Sequence, residues 1–209
     1  GNKCLKYLNG MFSFAIWDKK KKELFCARDR LGIKPFYYFI EKDVLYFASE
    51  VKALLPFVSK IEEDMNGIGE YLIFQYPISD NTMFKKIKQL MPGHSLIITI
   101  KNIDENFKID KYWNLSYLNK IEVSKKECEE KIRKLFDESI KNHLKSDVPI
   151  GTYISGGIDS GLISVLAKKE KKIHTAYHGR FIDYNGFDES NYAKIISENI
   201  DISLNVMDI

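Results

Sequence analysis

Apolar and polar residues along the chain follow two rhythms, and the change between them divides it. Leu8–Trp17 is aromatic and strand-like, Asp18 and the lysines after it make a turn, and Glu23–Ala27 reads as a second strand, so a hairpin is predicted. Leu45–Ser49 predicts a further strand. Ser49 is then expected to cap a short helix, Glu50–Leu55, that stops near Pro56. Between Lys111 and Lys125 the spacing turns helical. Ser124 with Glu127 three residues later has the form of a capping box, and Cys128, Ile132, Leu135, Phe136, Ile140 and Leu144 fall on one helix face.

Beyond this point strands and helices alternate. Val148–Ile154 is apolar and β-branched enough for a buried strand, Gly161–Lys169 has helical spacing, and Ile173–His178 reads as a short strand. Arg180–Phe187 reads as a loop. Asp188, Glu189 and Ser190 open a helix through Tyr192, Ile195 and Ile196, and Leu204–Ile209 reads as a last strand. Such alternation predicts a parallel sheet of Rossmann-like type. Ligand is then expected at the carboxyl ends of the strands, where Ile154–Ser155 and His178–Gly179 lie.

The chemistry concentrates in Ser155-Gly156-Gly157-Ile158-Asp159-Ser160, between a strand and a helix. Two glycines let the backbone adopt positive φ and approach a ligand closely. N–H groups at the positive end of a helix dipole suit a phosphate or pyrophosphate, and Ser155 and Ser160 offer hydroxyls. Asp159 is the odd member. A carboxylate beside phosphates repels them unless a cation lies between, so Asp159 is read as a Mg²⁺ ligand shared with the phosphates. The spacing fits neither a Walker loop nor a dinucleotide fingerprint. The bland alternative is a glycine turn capped by Ser and Asp.

Composition narrows the class. The 209 residues allow one large domain or two small ones, and an apolar fraction of 44% with thirteen Phe and twelve Tyr supplies real cores. A net charge of +3, with Lys interleaved among Asp and Glu, argues against a nucleic-acid surface. Lys19–Lys22 reads as a solvated turn. Three scattered cysteines, Cys4, Cys26 and Cys128, imply neither a disulfide framework nor a zinc site, which fits a reducing cytoplasm. No run is long and apolar enough to span a bilayer as a helix.

The loop resembles the S-G-G-x-D-S pyrophosphate loop of N-type ATP pyrophosphatases, which cleave ATP between the α and β phosphates and leave an adenylated intermediate. Upstream, N-G-M-F-S-F-A-I-W-D, R-D-R-L-G-I-K-P-F-Y-Y and F-A-S-E-V-K-A-L resemble the later half of the glutaminase domain of asparagine synthetases, a class II N-terminal-nucleophile amidotransferase. Thr82–His94 is similar to the family's segment before a last strand, and Lys111-Tyr112-Trp113 to its link into the synthetase domain. Asn9 departs from the family's usual Asp. The resemblance implies antiparallel strands with helices over residues 1–116, then a Rossmann-like ATP pyrophosphatase part over 117–209. It implies ATP and Mg²⁺ as cofactors and glutamine, aspartate and ATP as substrates, with no nucleic acid or membrane as partner. A homodimer is left open. It carries over Ile154, Ser155, Gly156, Gly157, Asp159, Ser160 and His178 as nucleotide-binding residues, with Asp159 on the metal.

Other polar residues are read more plainly. Arg28 and Asp29 lie in apolar surroundings and are expected to form a partly buried, structural ion pair, and Gly32 and Pro35 are expected to shape the turn that follows. Asp188 and Glu189 are expected to serve a helix dipole rather than a metal, and Glu50 a helix start. His178 is expected to meet the nucleotide through its backbone rather than its imidazole. Cys4 is not taken as the nucleophile, because the family's cysteine is terminal and its own α-amine assists it. The resemblance places that cysteine, the glutamine-binding Arg, an oxyanion-hole Asn-Gly and an amine-binding Asp before Gly1, and an S-G-x-G-A-D-E segment after Ile209. An internal piece of a longer enzyme, inactive in isolation and with an open sheet edge and uncovered apolar face, is therefore expected. The reaction expected of that enzyme is asparagine synthesis. Amidation of another carboxylate, or nucleotide binding without turnover, are the rivals.

Overall fold

The computed structural model describes residues 2–99, 107–118, 120–170, 173–183, 186 and 188–209. It divides into two compact units, Gly1–Asn119 and Lys120–Ile209.

The first unit opens with a 3-10 turn, Asn2–Lys6, followed by β1 (Ser13–Asp18), β2 (Glu23–Arg28), β3 (Tyr37–Glu41) and β4 (Val44–Ala48). Then come α1 (Val51–Leu54), a 3-10 turn at Leu55–Phe57, α2 (Met65–Phe74), β5 (Lys88–Gln89), β6 (His94–Thr99) and β7 (Phe107–Lys111). The strands form two antiparallel sheets, ordered β1-β2-β6-β7 and β4-β3-β5. The predicted hairpin is there, with Ser13 opposite Arg28 and Asp18 opposite Glu23. Strand β2 runs between β1 and β6 and is buried on both faces. Cys26 packs with Tyr38, Leu90, Leu96 and Ile98, while Phe25 and Ala27 pack with Leu5. Burying each large apolar side chain contributes about 1.5–3 kcal/mol, which makes β2 the spine of this unit.

Two local expectations fail here for identifiable reasons. Residues 8–12 are not strand. The Phe12 carbonyl accepts from Asp29 N–H at 2.8 Å and the Phe12 N–H donates to the Asp29 carboxylate at 3.3 Å, so this backbone is used outside the ladder. Ser49 caps nothing. The N-cap of α1 is Glu50, in extended conformation and without a side-chain cap bond, and its carboxylate pairs with Lys52 instead. The helix does stop near Pro56, at Leu54, and Pro56 sits within the 3-10 turn that follows α1.

Arg28 and Asp29 also do not form the expected ion pair; no carboxylate–guanidinium contact within 4.0 Å joins them. Each is satisfied separately, mostly by backbone. The Arg28 guanidinium donates to the carbonyls of Gly32 and Lys34 at 2.8 Å and of Leu90 at 2.7 Å. The Asp29 carboxylate accepts from the N–H groups of Phe12, Leu31, Ile33 and Lys34. Two consecutive charges on one strand end point to opposite faces, so each must find its own partners. Burial pushes the Asp29 carboxyl up, but the four N–H donors outweigh it and hold it below its ordinary value.

The second unit contains α3 (Lys125–His143), β8 (Ile150–Tyr153), α4 (Ile158–Lys169), β9 (Ile173–Arg180), α5 (Ser190–Asn199) and β10 (Ser203–Asp208). Its three strands are parallel, in the order β10-β9-β8. The predicted capping box starts α3: Ser124 Oγ accepts from Glu127 N–H at 3.3 Å, and Glu127 returns the bond to Ser124 N–H at 2.8 Å. Only the last turns of the expected apolar face are buried. Ile140 and Leu144 join Ile154, Ala167, Ile173, Ala176 and Ala193 in one core, whereas Ile132, Leu135 and Phe136 stay exposed. Along β9, Ala176 and His178 face this core while Tyr177 and Gly179 lie on the other face. Tyr153, Tyr177 and Met207 are exposed, Tyr153 to 82%.

Candidate functional site

Strand β8 ends at Tyr153, where the ladder with β9 also ends. Ile154 continues inward and is 1% exposed; its N–H donates to the Tyr177 carbonyl at 3.0 Å. The chain then lifts off the sheet through Ser155 and Gly156 into α4. The helix begins at Ile158, three residues earlier than its apolar spacing indicates. Asp159 and Ser160 therefore lie in its first turn rather than in the loop before it. The reason is that Asp159 and Ser160 carry no apolar signal, although their backbone is helical.

Gly156 has φ of +98°, a conformation that side chains rarely adopt. A Cβ there would also lie 2.9 Å from the Glu189 carbonyl oxygen and 3.2 Å from Tyr192 Cβ. The start of α5 thus braces the loop. Glu189 and Tyr192 are residues that sequence reasoning did not connect with the loop, because the contact spans more than thirty residues and is made by backbone and Cβ atoms that nearly every residue type offers. Gly156→Ala is expected to raise amide hydrogen exchange in residues 155–160 and to lower the melting temperature of the second unit. The cost is about 1–3 kcal/mol for left-handed backbone strain with added overpacking.

The loop is tied to itself. Ser155 Oγ and Ser160 Oγ are 2.9 Å apart, the Ser155 N–H donates to Ser160 Oγ at 3.1 Å, and Ser160 Oγ donates to the Gly157 carbonyl at 3.1 Å. Gly157 is the N-cap of α4 and supplies no side-chain acceptor, so no side chain caps this helix. The first-turn N–H groups of an uncapped helix, with the macrodipole behind them, favour an anion. Asp159 is exposed and makes no hydrogen bond or ion pair among the described residues. No group of three or more His, Cys, Asp or Glu side chains gathers here as a metal cage among the described residues. One free carboxylate beside an anion-favouring helix end fits a Mg²⁺ that takes its other oxygens from phosphate and water, not one held by protein alone.

His178 lies inside β9, whose strand runs on to Arg180, two residues past the expected end. It is buried, and its Nδ1 is 2.8 Å from the Ile154 carbonyl. An open hollow of about 550 Å³ at the carboxyl ends of the strands has Tyr153, Tyr177, His178, Gly179, Asn205 and Met207 in its lining. A larger hollow of about 730 Å³ lies in the first unit beside Lys3, Arg30 and Lys111, far in sequence from the loop; size alone does not place the site. Ile154, Ser155, Gly156, Gly157, Asp159, Ser160 and His178 are thus neighbours at one sheet end. Asp188 and Glu189 precede the first turn of α5: Asp188 accepts from Ser190 N–H at 2.9 Å and from the Ser190 hydroxyl, which hold its carboxyl below the ordinary value. The loop expected over Arg180–Phe187 falls in part outside the described residues. Cys4 packs against the Leu5, Phe25 and Ala27 cluster as a partly buried apolar group.

The two units define a mixed α/β protein, antiparallel sheets first and then a parallel sheet with a glycine-rich turn between strand and helix. Residues 1–113 match the family model described as glutamine amidotransferase domain, and residues 131–209 match the one described as asparagine synthase. The chain belongs to the glutamine-hydrolysing asparagine synthetase family. It is 36% identical over 202 residues to asparagine synthetase [glutamine-hydrolyzing] 3 of Bacillus subtilis, covering 95% of this chain and 32% of that protein. It is 34% identical over 201 residues to a putative asparagine synthetase [glutamine-hydrolyzing] 2 of Methanocaldococcus jannaschii, covering 94% and 38%. Amidase chry2 of Gibberella zeae is 31% identical over 227 aligned positions, covering 100% and 33%. The chain spans about a third of the length of these curated relatives.

Proposed function

We propose that this chain carries the ATP site of an enzyme that makes asparagine from aspartate, ATP and glutamine. Residues 1–116 are assigned as the later part of the glutaminase domain and 117–209 as the first part of the ATP pyrophosphatase domain. The observation that carries the reading is the Ser155–Ser160 turn at the end of β8, with an uncapped α4 behind it and a free Asp159 on it.

In this reading the aspartate side-chain carboxylate attacks the α phosphorus of ATP. The bond to the bridging oxygen breaks, pyrophosphate leaves, and an acyl adenylate forms. Ammonia released from glutamine then attacks the acyl carbon and AMP leaves. The first-turn N–H groups of α4 hold the departing pyrophosphate, and the Ser155 and Ser160 hydroxyls exchange their mutual bond for phosphate oxygens. Asp159 would hold a Mg²⁺ ion, which supplies positive charge against the phosphates. Ile154 and His178 line the nucleotide side through backbone. The glutaminase nucleophile is assigned to no residue of this chain, so the 209 residues alone are expected to release no glutamate from glutamine.

The likeness to a protein named an amidase favours a second reading, in which the same adenylation acts on a different carboxylate. ATP–pyrophosphate exchange by the enzyme that contains this chain, assayed with aspartate and a panel of other carboxylic acids, decides between them. Exchange that depends on aspartate supports the first reading, and exchange only with another acid supports the second. ATP binding with no exchange for any acid leaves a nucleotide-binding module and overturns both.

A further inference from the structure

His178 is an unusual side chain for its place. It is 5% exposed, on the core-facing side of β9 two residues after the fully buried Ala176, where an aliphatic residue would fill the same space. Its Nε2 is buried and has no hydrogen-bond partner among the described residues. A buried ring nitrogen without a partner is disfavoured, so the other nitrogen must account for the residue. That nitrogen, Nδ1, lies 2.8 Å from the Ile154 carbonyl oxygen. A carbonyl only accepts, so Nδ1 carries the proton and in the neutral ring Nε2 is the bare lone pair.

The place of this bond gives it a consequence. The β8–β9 ladder ends at the pair Tyr153 and Tyr177, one residue before Ile154. The Ile154 N–H still reaches the Tyr177 carbonyl, but beyond the ladder its own carbonyl is held by the His178 side chain. Both polar groups of the Ile154 backbone are thereby fixed to β9 just before the chain turns at Gly156. The direction of that carbonyl sets the peptide plane between Ile154 and Ser155, hence where the Ser155 N–H points and how the turn enters α4.

We propose that His178 is a positioning residue: its Nδ1–H latches the Ile154 carbonyl and thereby aims the Ser155–Ser160 turn at its anionic ligand, while Nε2 makes no ligand contact. The proposal rests on the reading of that turn as the ATP site. It goes beyond it in giving the imidazole, rather than the backbone at residue 178, the decisive part.

Three substitutions in the enzyme that contains this chain separate the nitrogens. His178→Leu fills the space and removes both. In His178→Asn the side-chain amide can place a donor where Nδ1 was, and in His178→Gln near where Nε2 was. Two readouts are taken on each: amide hydrogen exchange of residues 154–160 without ligand, and equilibrium binding of a fluorescent ATP analogue with Mg²⁺. In His178→Leu, exchange in 155–160 should accelerate and the dissociation constant should rise by about five- to tenfold, the scale of one buried hydrogen bond. His178→Asn should recover most of both losses and His178→Gln neither. If His178→Leu matches the parent enzyme in both readouts, the residue only fills space and the latch is wrong. Recovery by Gln but not Asn overturns it in favour of a ligand contact through Nε2. If the parent enzyme binds no ATP, the ATP-site reading fails instead, and the exchange pattern still decides whether the latch exists.

Discussion

Asp159→Asn is expected to lower ATP–pyrophosphate exchange by about a hundredfold in the enzyme that contains this chain, the usual scale for removing one electrostatic stabiliser of a developing charge. Asn keeps the size and one oxygen of the side chain but loses the charge. Asp159 is exposed and unpaired in the first turn of α4, so the change breaks no hydrogen bond or ion pair among the described residues. A loss of rate therefore reads as lost chemistry and not as lost fold. Thermal melting of the variant should match the parent protein, and raised Mg²⁺ should restore only part of the exchange. Glutamine hydrolysis, which the proposed function assigns to the other domain, should continue and release ammonia without product. Exchange at an unchanged rate in Asp159→Asn would mean that the turn is not the pyrophosphate site.

The largest stability effect is expected at Asp29. One carboxylate oxygen accepts from Leu31 and Ile33 N–H at 3.2 and 2.9 Å, the other from Phe12 and Lys34 N–H at 3.3 and 2.9 Å. Asp29→Ala orphans four backbone donors at a residue only 1% exposed, for a loss of about 3–5 kcal/mol. Asp29→Asn should cost somewhat less, because it keeps one acceptor oxygen, although its amide N–H₂ then opposes the other two donors. Both tryptophans, Trp17 and Trp113, lie in the first unit, so urea unfolding followed by tryptophan fluorescence reports on that unit. The sign with pH follows from the lowered carboxyl. Its stabilising contribution is complete above the unfolded value of about 3.9 and is lost as pH falls through the lower folded value. The parent chain should lose stability over that acidic window. Asp29→Asn should start less stable and lack this part of the slope. An unfolding midpoint in Asp29→Ala within a few tenths molar urea of the parent would show that the four donors find other partners.

These two aspartates were unequally legible. Asp159 sits in a six-residue pattern whose chemistry is local: glycines for close approach, hydroxyls, one carboxylate and a helix beginning. Local chemistry can be read from adjacent letters. Asp29 was recognisable as a charge in apolar company, but the expected Arg28 partner was wrong. The true partners are backbone groups of Phe12, Leu31, Ile33 and Lys34, and any residue type offers a backbone N–H. The same holds for the brace on Gly156, which comes from the backbone and Cβ atoms at the start of α5.

The sequence by itself determined the elements whose signal repeats or is self-contained. These are the β1–β2 hairpin, the capping box and periodicity of α3, the alternation that makes β8, β9 and β10 parallel, and the turn at residues 155–160. Each follows from steric preference or spacing within a few residues. The tertiary structure alone decided what those elements meet. It left Ile132 and Phe136 on the helical face of α3 exposed while burying Ile140, because spacing fixes which residues share a face but not what lies opposite. It began α4 at Ile158, placing Asp159 on a helix end, because Asp159 and Ser160 carry no apolar signal although their backbone is helical. And it brought His178 to the carbonyl of Ile154, 24 residues earlier, because neighbouring parallel strands juxtapose positions that no local pattern connects.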